Sequence, residues 1–420
     1  MSKHRPPSQR VVITGLGALT PIGNTVADYW KSLVEGRSGI AHFTLLDPAG
    51  YPCTYAGEVK GFSPEQFLEP KAARRMARFS QFAVVAAGQA IADAKLDMAK
   101  EDPYKVGVLL GNGNGGYPTI EEGVRTLVAK GGMRLSPFFF PMTLPNMAAS
   151  QVSLTYGLKG YSSTVVTACA AGNQAIGEAA EVIRRGNCDV MVTGGVEAGI
   201  SLLGLGGFAV MKALSTSFND NPSKGSRPFD GKRDGFVPAE GAGILIIESL
   251  EHAMRRGAIV LAEVLGYGAS ADAFHIVAPD EDGAGAAKAM ERAIQDAGIA
   301  PEEVGYINAH GTSTPLNDLT ETLAIKRLFG KGAYSIPISS SKSMIGHGLG
   351  AAGGMEAVAC VKTLLEGVIH PTINQEVPDP KCDLDYVPNV ARQKDVRVVI
   401  KNSFGFGGQN ACVVFGKFEG

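Results

Sequence analysis

The stretch from Thr164 to Gly177, "TVVTACAAGNQAIG", runs from β-branched residues into alanine and glycine, with Cys169 at the junction. Branched residues favour a strand, and the small residues beyond suit a helix pressed closely against a neighbour. The same design recurs in residues 339–354, "SSSKSMIGHGLGAAGG", where His347 stands at the junction. One design in two distant places reads as one folding unit used twice.

Short apolar strands alternate with helical patterns around both stretches. Residues 10–23, 104–116 and 188–199 read as buried strands ending in turns, with helices over 80–94 and 172–185. A second cycle starts near Ala258, with helices over 283–297 and 316–329. This alternation predicts an α/β architecture in two similar halves, residues 10–256 and 257–420, after a disordered tail over 1–9.

At 420 residues the chain is too long for one ordinary core. A net charge of −2 and 19% charged residues exclude a polyanion binder that works by bulk charge. The 54 glycines imply tight turns and close backbone contacts. Six cysteines (53, 169, 188, 360, 382 and 412) show no CxxC pair and no metal-ligand spacing, and the first ten residues carry no apolar segment. The expectation is a reducing, cytoplasmic setting. The low-charge run 190–211 holds Glu197 and six glycines, which suits a loop and helix better than a membrane span. "GLGALTPIG" and "GNGNGG" follow strands, but neither forms a GxGxxG with an acidic residue downstream, so no dinucleotide site is expected.

Taken alone, Cys169 has two readings: a small apolar residue in a tight core, or a nucleophile. His310, in "NAHGTST", and His347 both sit at strand ends among glycines and alanines, and Lys342 stands five residues before the second. A single buried histidine is commonly structural; two in such settings shift the balance toward catalysis. The glycine-dense "NSFGFGG" (402–408) is able to bring backbone N–H groups near a ligand.

Four motifs in this order, "TACAAG", "NAHGTSTPLND", "SSSKSMIGHGLGAAGG" and "NSFGFGGQN", resemble those of the β-ketoacyl-acyl carrier protein synthases, condensing enzymes of fatty-acid synthesis. The resemblance also covers "SRPFDGKRDGFVPAEGAG" (226–243) and "HPTINQEVPDPKCDLDYVP" (370–388), and in effect spans residues 9–418. It implies the thiolase-like fold, two halves packed as five layers (αβαβα) in a homodimer, with no cofactor or metal of its own, no nucleic acid and no membrane. Cys169 would take an acyl group from a carrier-protein thioester, at a helix N-terminus that favours thiolate. The N–H groups of Cys169 and Phe404 would hold the oxyanion, and neutral His310 and His347 would hold the enolate formed when malonyl-carrier protein loses carbon dioxide.

The resemblance further pairs Lys342 with Glu321 beside the histidines; by itself Glu321 reads equally as a helix-capping carboxylate. Thr312 and Thr314 would bind the phosphopantetheine arm, although "GTST" is also an ordinary polar turn. Lys71, Arg74, Arg75 and Arg78 are spaced as one helical stripe, which with Lys212 would dock the acidic carrier protein; the plainer reading is a solvated face. Asn114 stands where elongating synthases carry an apolar residue at the acyl pocket, which Phe404 also lines. Ala239 and Gln409 are smaller departures. Two alternatives stay open: a polyketide ketosynthase using the same Cys-His-His set, and a non-catalytic chain-length partner, which Cys169 disfavours. His347 argues against the Cys-His-Asn set of initiating synthases.

Overall fold

The protein is described here by a computed structural model covering residues 5–420. Ten of the described strands join into one hydrogen-bonded sheet. The first half supplies β1 (Val11–Leu19), β2 (Val106–Gly111), β3 (Ser162–Val165), β4 (Val190–Glu197) and β5 (Gly241–Ser249). The second supplies β6 (Ala262–Ala271), β7 (Tyr306–Asn308), β8 (Ile338–Ser339), β9 (Val398–Gly405) and β10 (Gln409–Gly416).

The spatial order is β3-β2-β4-β5-β1 in one half and β8-β7-β9-β10-β6 in the other, so the same topology occurs twice. Directions match as well: the first three strands of each order are parallel and the remaining pairings antiparallel. The halves meet at their first strands, where Val11, Val12 and Ile13 face Val264, Glu263 and Ala262.

Helix α1 (Arg78–Asp93) covers β1, β4 and β5 on the outside of the first half. Between the halves lie α2 (Ala171–Arg184) and, later in the chain, a helix over Ala352–Glu366; each touches strands of both. On the outside of the second half, α3 (Ala284–Ala297) packs on β6 and β10 and against α4 (Pro315–Phe329). With the central helix over Ala352–Glu366 as α5, the arrangement is the five-layer αβαβα stack that was expected. The helices begin and end within two residues of their expected bounds.

Small residues make the middle layer possible. A Cβ at Gly353 on α5 would stand 2.2 Å from the Asn173 nitrogen on α2, and one at Gly243 on β5 would stand 2.2 Å from the Gly354 carbonyl carbon. No larger side chain fits at either place without moving backbone. Apolar side chains then fill the space on each side, Ile13, Leu245, Met355 and Val399 among them.

Residues 5–9, which fall within the expected tail, are held in place. Arg5 donates to the Leu265 carbonyl at 3.0 Å and pairs with Asp296 at 2.5 Å, and residues 6–10 form a turn bonded through Pro6. The arginine fixes residues 5–9 to the second half; residues 1–4 lie outside the described residues.

A buried charge cluster lies at the C-terminal end of β5. His252 sits between Glu248, 2.6 Å from Nδ1, and Glu101, 2.9 Å from Nε2. Burial alone would lower the His252 pKa, but the two carboxylates outweigh it and raise it above its usual value. Burial would likewise raise Glu248, yet Arg256, His252 and Thr14 hold it down to about 2. The His252 contribution to stability is therefore full below about pH 6.5 and fades as pH rises through its elevated folded-state value. Urea unfolding of wild type and His252→Gln should show a stability gap that narrows as pH rises from about 6 to 9; a constant gap would contradict the assignment.

Candidate active site

Cys169 sits at a sharp corner. β3 ends at Val165, a single turn spans Ala168–Ala170, and α2 starts at Ala171. Ala168 holds a φ of 49°, a left-handed conformation unfavourable for alanine, which turns the chain so that Cys169 faces a cavity. Gly405 presses on the corner: a Cβ there would stand 2.6 Å from the Thr167 carbonyl oxygen.

The backbone N–H groups of Cys169 itself and of Phe406 favour the charged form of the sulfur. This corrects the expected donor, Phe404. Strand β9 ends at Gly405, so Phe404 lies inside the ladder, opposite Asn410, while Phe406 stands in the turn beyond it. The Phe404 ring instead lies 5.6 Å from the His310 ring, on the cavity wall.

The thiolate expectation is also corrected. Burial pushes the Cys169 thiol up to about 12; Lys342 pulls it down and buried Glu197 pushes it further up. Burial is the largest of these effects, because the small residues that bring α2 close also exclude water.

His310 and His347 come together from different segments, their rings 5.4 Å apart and edge to face. Both line the cavity that holds Cys169. Nδ1 of each is buried without a partner, which leaves Nε2 for the cavity. Burial first, then the Lys342 and Lys401 charges, holds both histidines well below their usual value, and so neutral.

The backbone of His310 is clamped from both sides. Its N–H and that of Gly311 each donate to Glu321 at 2.8 Å, and its carbonyl accepts from Lys342 Nζ at 2.6 Å. Lys342 is not the partner of Glu321, as expected, but of Glu356, at 2.5 Å. The other Glu356 oxygen lies 2.7 Å from Lys401 Nζ, and all three side chains are fully buried. Glu321 reaches the backbone from the second turn of α4, behind the His310 loop, with Asn402 Nδ2 as its third donor at 3.2 Å.

Glu356 and Lys401 were missed in the sequence, as was Glu197, whose carboxylate accepts from the N–H groups of Gly113, Asn114 and Gly350. It ties the pocket loop of one half to the turn after His347 in the other, and burial pushes it up to about 7. Each of the three carried a signal, a lone charge inside an apolar run: "VTGGVEAG", "GGMEAVACV" and "VVIKNS".

The cavity is about 840 Å³. Asn114, Thr312, Thr314, Lys212 and Phe404 line it along with Cys169 and both histidines. Thr312 and Thr314 share a hydroxyl hydrogen bond of 2.9 Å.

The β-ketoacyl synthase N-terminal domain matches residues 8–253, and the β-ketoacyl synthase C-terminal domain matches residues 261–376. The chain belongs to the β-ketoacyl synthase family. It is a condensing enzyme of the acyltransferase class. A 3-oxoacyl-[acyl-carrier-protein] synthase 2 from Synechocystis sp. is 52% identical over 411 residues, 98% of this chain and 99% of the relative. One from Staphylococcus aureus is 50% identical over 412 residues, with the same coverage. Among solved structures, a type II polyketide ketosynthase in complex with its acyl-carrier protein superposes with a TM-score of 0.90 at 37% identity, covering 98% of this chain and 99% of that one. A β-ketoacyl synthase from Burkholderia phymatum gives 0.90 at 35%, covering 98% and 100%.

The basic stripe of the synthase is broken. Residues 70–73 form one short helix and α1 starts only at Arg78, so the four side chains do not share a helix. Lys71, Arg74 and Arg75 are exposed, but Arg78 turns inward to pair with buried Glu240 at 2.6 Å and to lie over the Phe82 ring.

Alkylation of the free synthase by iodoacetamide, mapped to Cys169, should climb about tenfold per pH unit from about pH 7 to 10 without a plateau. A plateau at or below about pH 8.5 would show that the helix N-terminus and Lys342 overcome burial.

Proposed function

We propose that the synthase makes 3-oxoacyl-[acyl-carrier protein] by decarboxylative Claisen condensation in fatty-acid elongation. One observation carries this: a single cavity presents Cys169, under two backbone N–H groups, to a close pair of neutral histidines.

First, Cys169 Sγ attacks the thioester carbonyl of an acyl-carrier protein. The N–H groups of Cys169 and Phe406 receive the developing oxyanion, a kind of interaction commonly worth about 3–4 kcal/mol. The C–S bond to the phosphopantetheine arm breaks, and the thiol proton leaves with the carrier. Malonyl-carrier protein then enters, with Thr312 and Thr314 beside its arm. Its C–C bond to the carboxylate breaks, carbon dioxide departs, and the bonding pair forms an enolate on the thioester. Nε2–H of His310 and of His347 donate to that oxygen. Neutral imidazoles suit the task, each having one ring proton to offer when it sits on Nε2. The enolate carbon attacks the acyl-cysteine, its C–S bond breaks, and the sulfur takes up one proton. Decarboxylation supplies the carbanion, so the chemistry asks for no cofactor.

Identity of 50–52% to the bacterial 3-oxoacyl synthases, against 37% for the superposed type II polyketide ketosynthase, favours fatty-acid elongation over a polyketide role. Asn114 and Phe404 border the space for the acyl chain, and the amide sets its length or polarity. Lys71, Arg74, Arg75 and Lys212 form the docking face for the acidic carrier protein, where charge chiefly speeds association. The synthase acts as a homodimer through β3, an edge strand paired only to β2, with exposed Leu154, Tyr161 and Val166 near it in sequence. No helix among the described residues is long and apolar enough to cross a membrane.

Incubation with octanoyl- or palmitoyl-carrier protein should leave an acyl adduct on Cys169 by peptide mass mapping. No adduct, or one on another cysteine, would sink the mechanism. The two half-reactions should separate: Cys169→Ser loses condensation while still decarboxylating malonyl-carrier protein, and His310→Ala loses decarboxylation by roughly a hundredfold. Normal decarboxylation in both variants would remove the histidines from their role.

A further inference from the structure

The steps above use no charge on Lys401, yet this side chain is wholly buried near the middle of the molecule. It is the fourth residue of β9, directly after Val398, Val399 and Ile400. A buried ammonium is costly unless oxygens surround it. Here they do: Nζ lies 2.7 Å from Glu356 Oε2, donates to Ser403 Oγ at 3.0 Å and also donates to the Asn402 carbonyl. The Lys401 carbonyl in turn accepts from Asn173 Nδ2 at 3.0 Å, four residues beyond the nucleophile. One residue thus joins α2, α5 and the strand that leads through Phe404 to Phe406.

We propose that Lys401 is a positioning residue for the condensation: by holding one oxygen of Glu356 it keeps the other on Lys342, and so keeps Lys342 against the His310 carbonyl. This rests on the condensation reading. The ionisable groups that face its charge are Glu356, Lys342, His310, His347, Cys360 and Cys412, with Glu321 across Asn402. A positive charge at this distance disfavours protonation of both histidines, so its removal lets them take up protons at higher pH.

The test uses full-length Lys401→Met and the charge-balanced double variant Lys401→Met/Glu356→Gln. Malonyl-carrier decarboxylation and condensation are followed from pH 5 to 9, and the imidazoles of His310 and His347 are titrated by NMR. For Lys401→Met, kcat should fall about tenfold with KM within about threefold, and the acid limb and both imidazole titrations should move up by roughly half a pH unit or more. The double variant regains the net charge of the cluster, so its titrations should return toward wild type. Its kcat should stay low, because Lys342 has lost its carboxylate.

Wild-type kcat and unmoved titrations in Lys401→Met would overturn the proposal, as would a loss confined to KM or a fall in kcat with unmoved titrations. Wild-type kcat in the double variant would overturn it too. If Lys401→Met does not fold, the double variant decides: low kcat with wild-type titrations supports the proposal, and wild-type kcat refutes it. Wild-type protein that neither decarboxylates nor condenses would sink the condensation reading, while the imidazole titrations would still decide for or against Lys401.

Discussion

Three charged side chains without solvent exposure, Lys342, Glu356 and Lys401, meet where the two halves close on each other, and the site depends on their arrangement. Charges taken out of water are tolerated only when paired and hydrogen-bonded, so their geometry is tightly specified. Lys342 turns that specificity into position by gripping the His310 carbonyl, while Glu321 grips the N–H on the other side. A loop residue is thereby held as firmly as one in a regular element.

The reacting groups themselves carry little charge. Burial drives the Cys169 thiol and both imidazoles toward their neutral forms, and the permanent charges stand behind them. Such a site keeps proton donors where negative charge develops during reaction and offers little before it does. The same dry packing strengthens each donor, since a low local dielectric magnifies every dipole aimed at the substrate.

Much of this was legible in the chain. The strand, turn and helix around Cys169 and its echo around His347 rest on local periodicity and small residues, which survive any tertiary context, so the duplicated topology followed. Cys169 and His310 follow strand ends closely, whereas His347 follows the short helix Lys342–Ile345, and all three stand among small residues that allow close approach. Errors arose where a partner had to be chosen in space. The motif spacing suggests Glu321 as the partner of Lys342, but Glu356 lies against the lysine, and Phe404 belongs to a strand that runs on to Gly405. The spacing of Lys71, Arg74, Arg75 and Arg78 is helical, but the chain breaks there, and Glu240 draws Arg78 inward.

By itself, then, the sequence determined the class of fold, the repetition of one unit and the choice of Cys169, His310 and His347 as the candidates that one cavity brings together, because these rest on local pattern and on motifs. Only the tertiary structure decided which carboxylate meets which lysine, which N–H faces the sulfur, and whether the thiol is charged at rest. Those outcomes depend on distance and desolvation between segments far apart in the chain, and no local spacing encodes either.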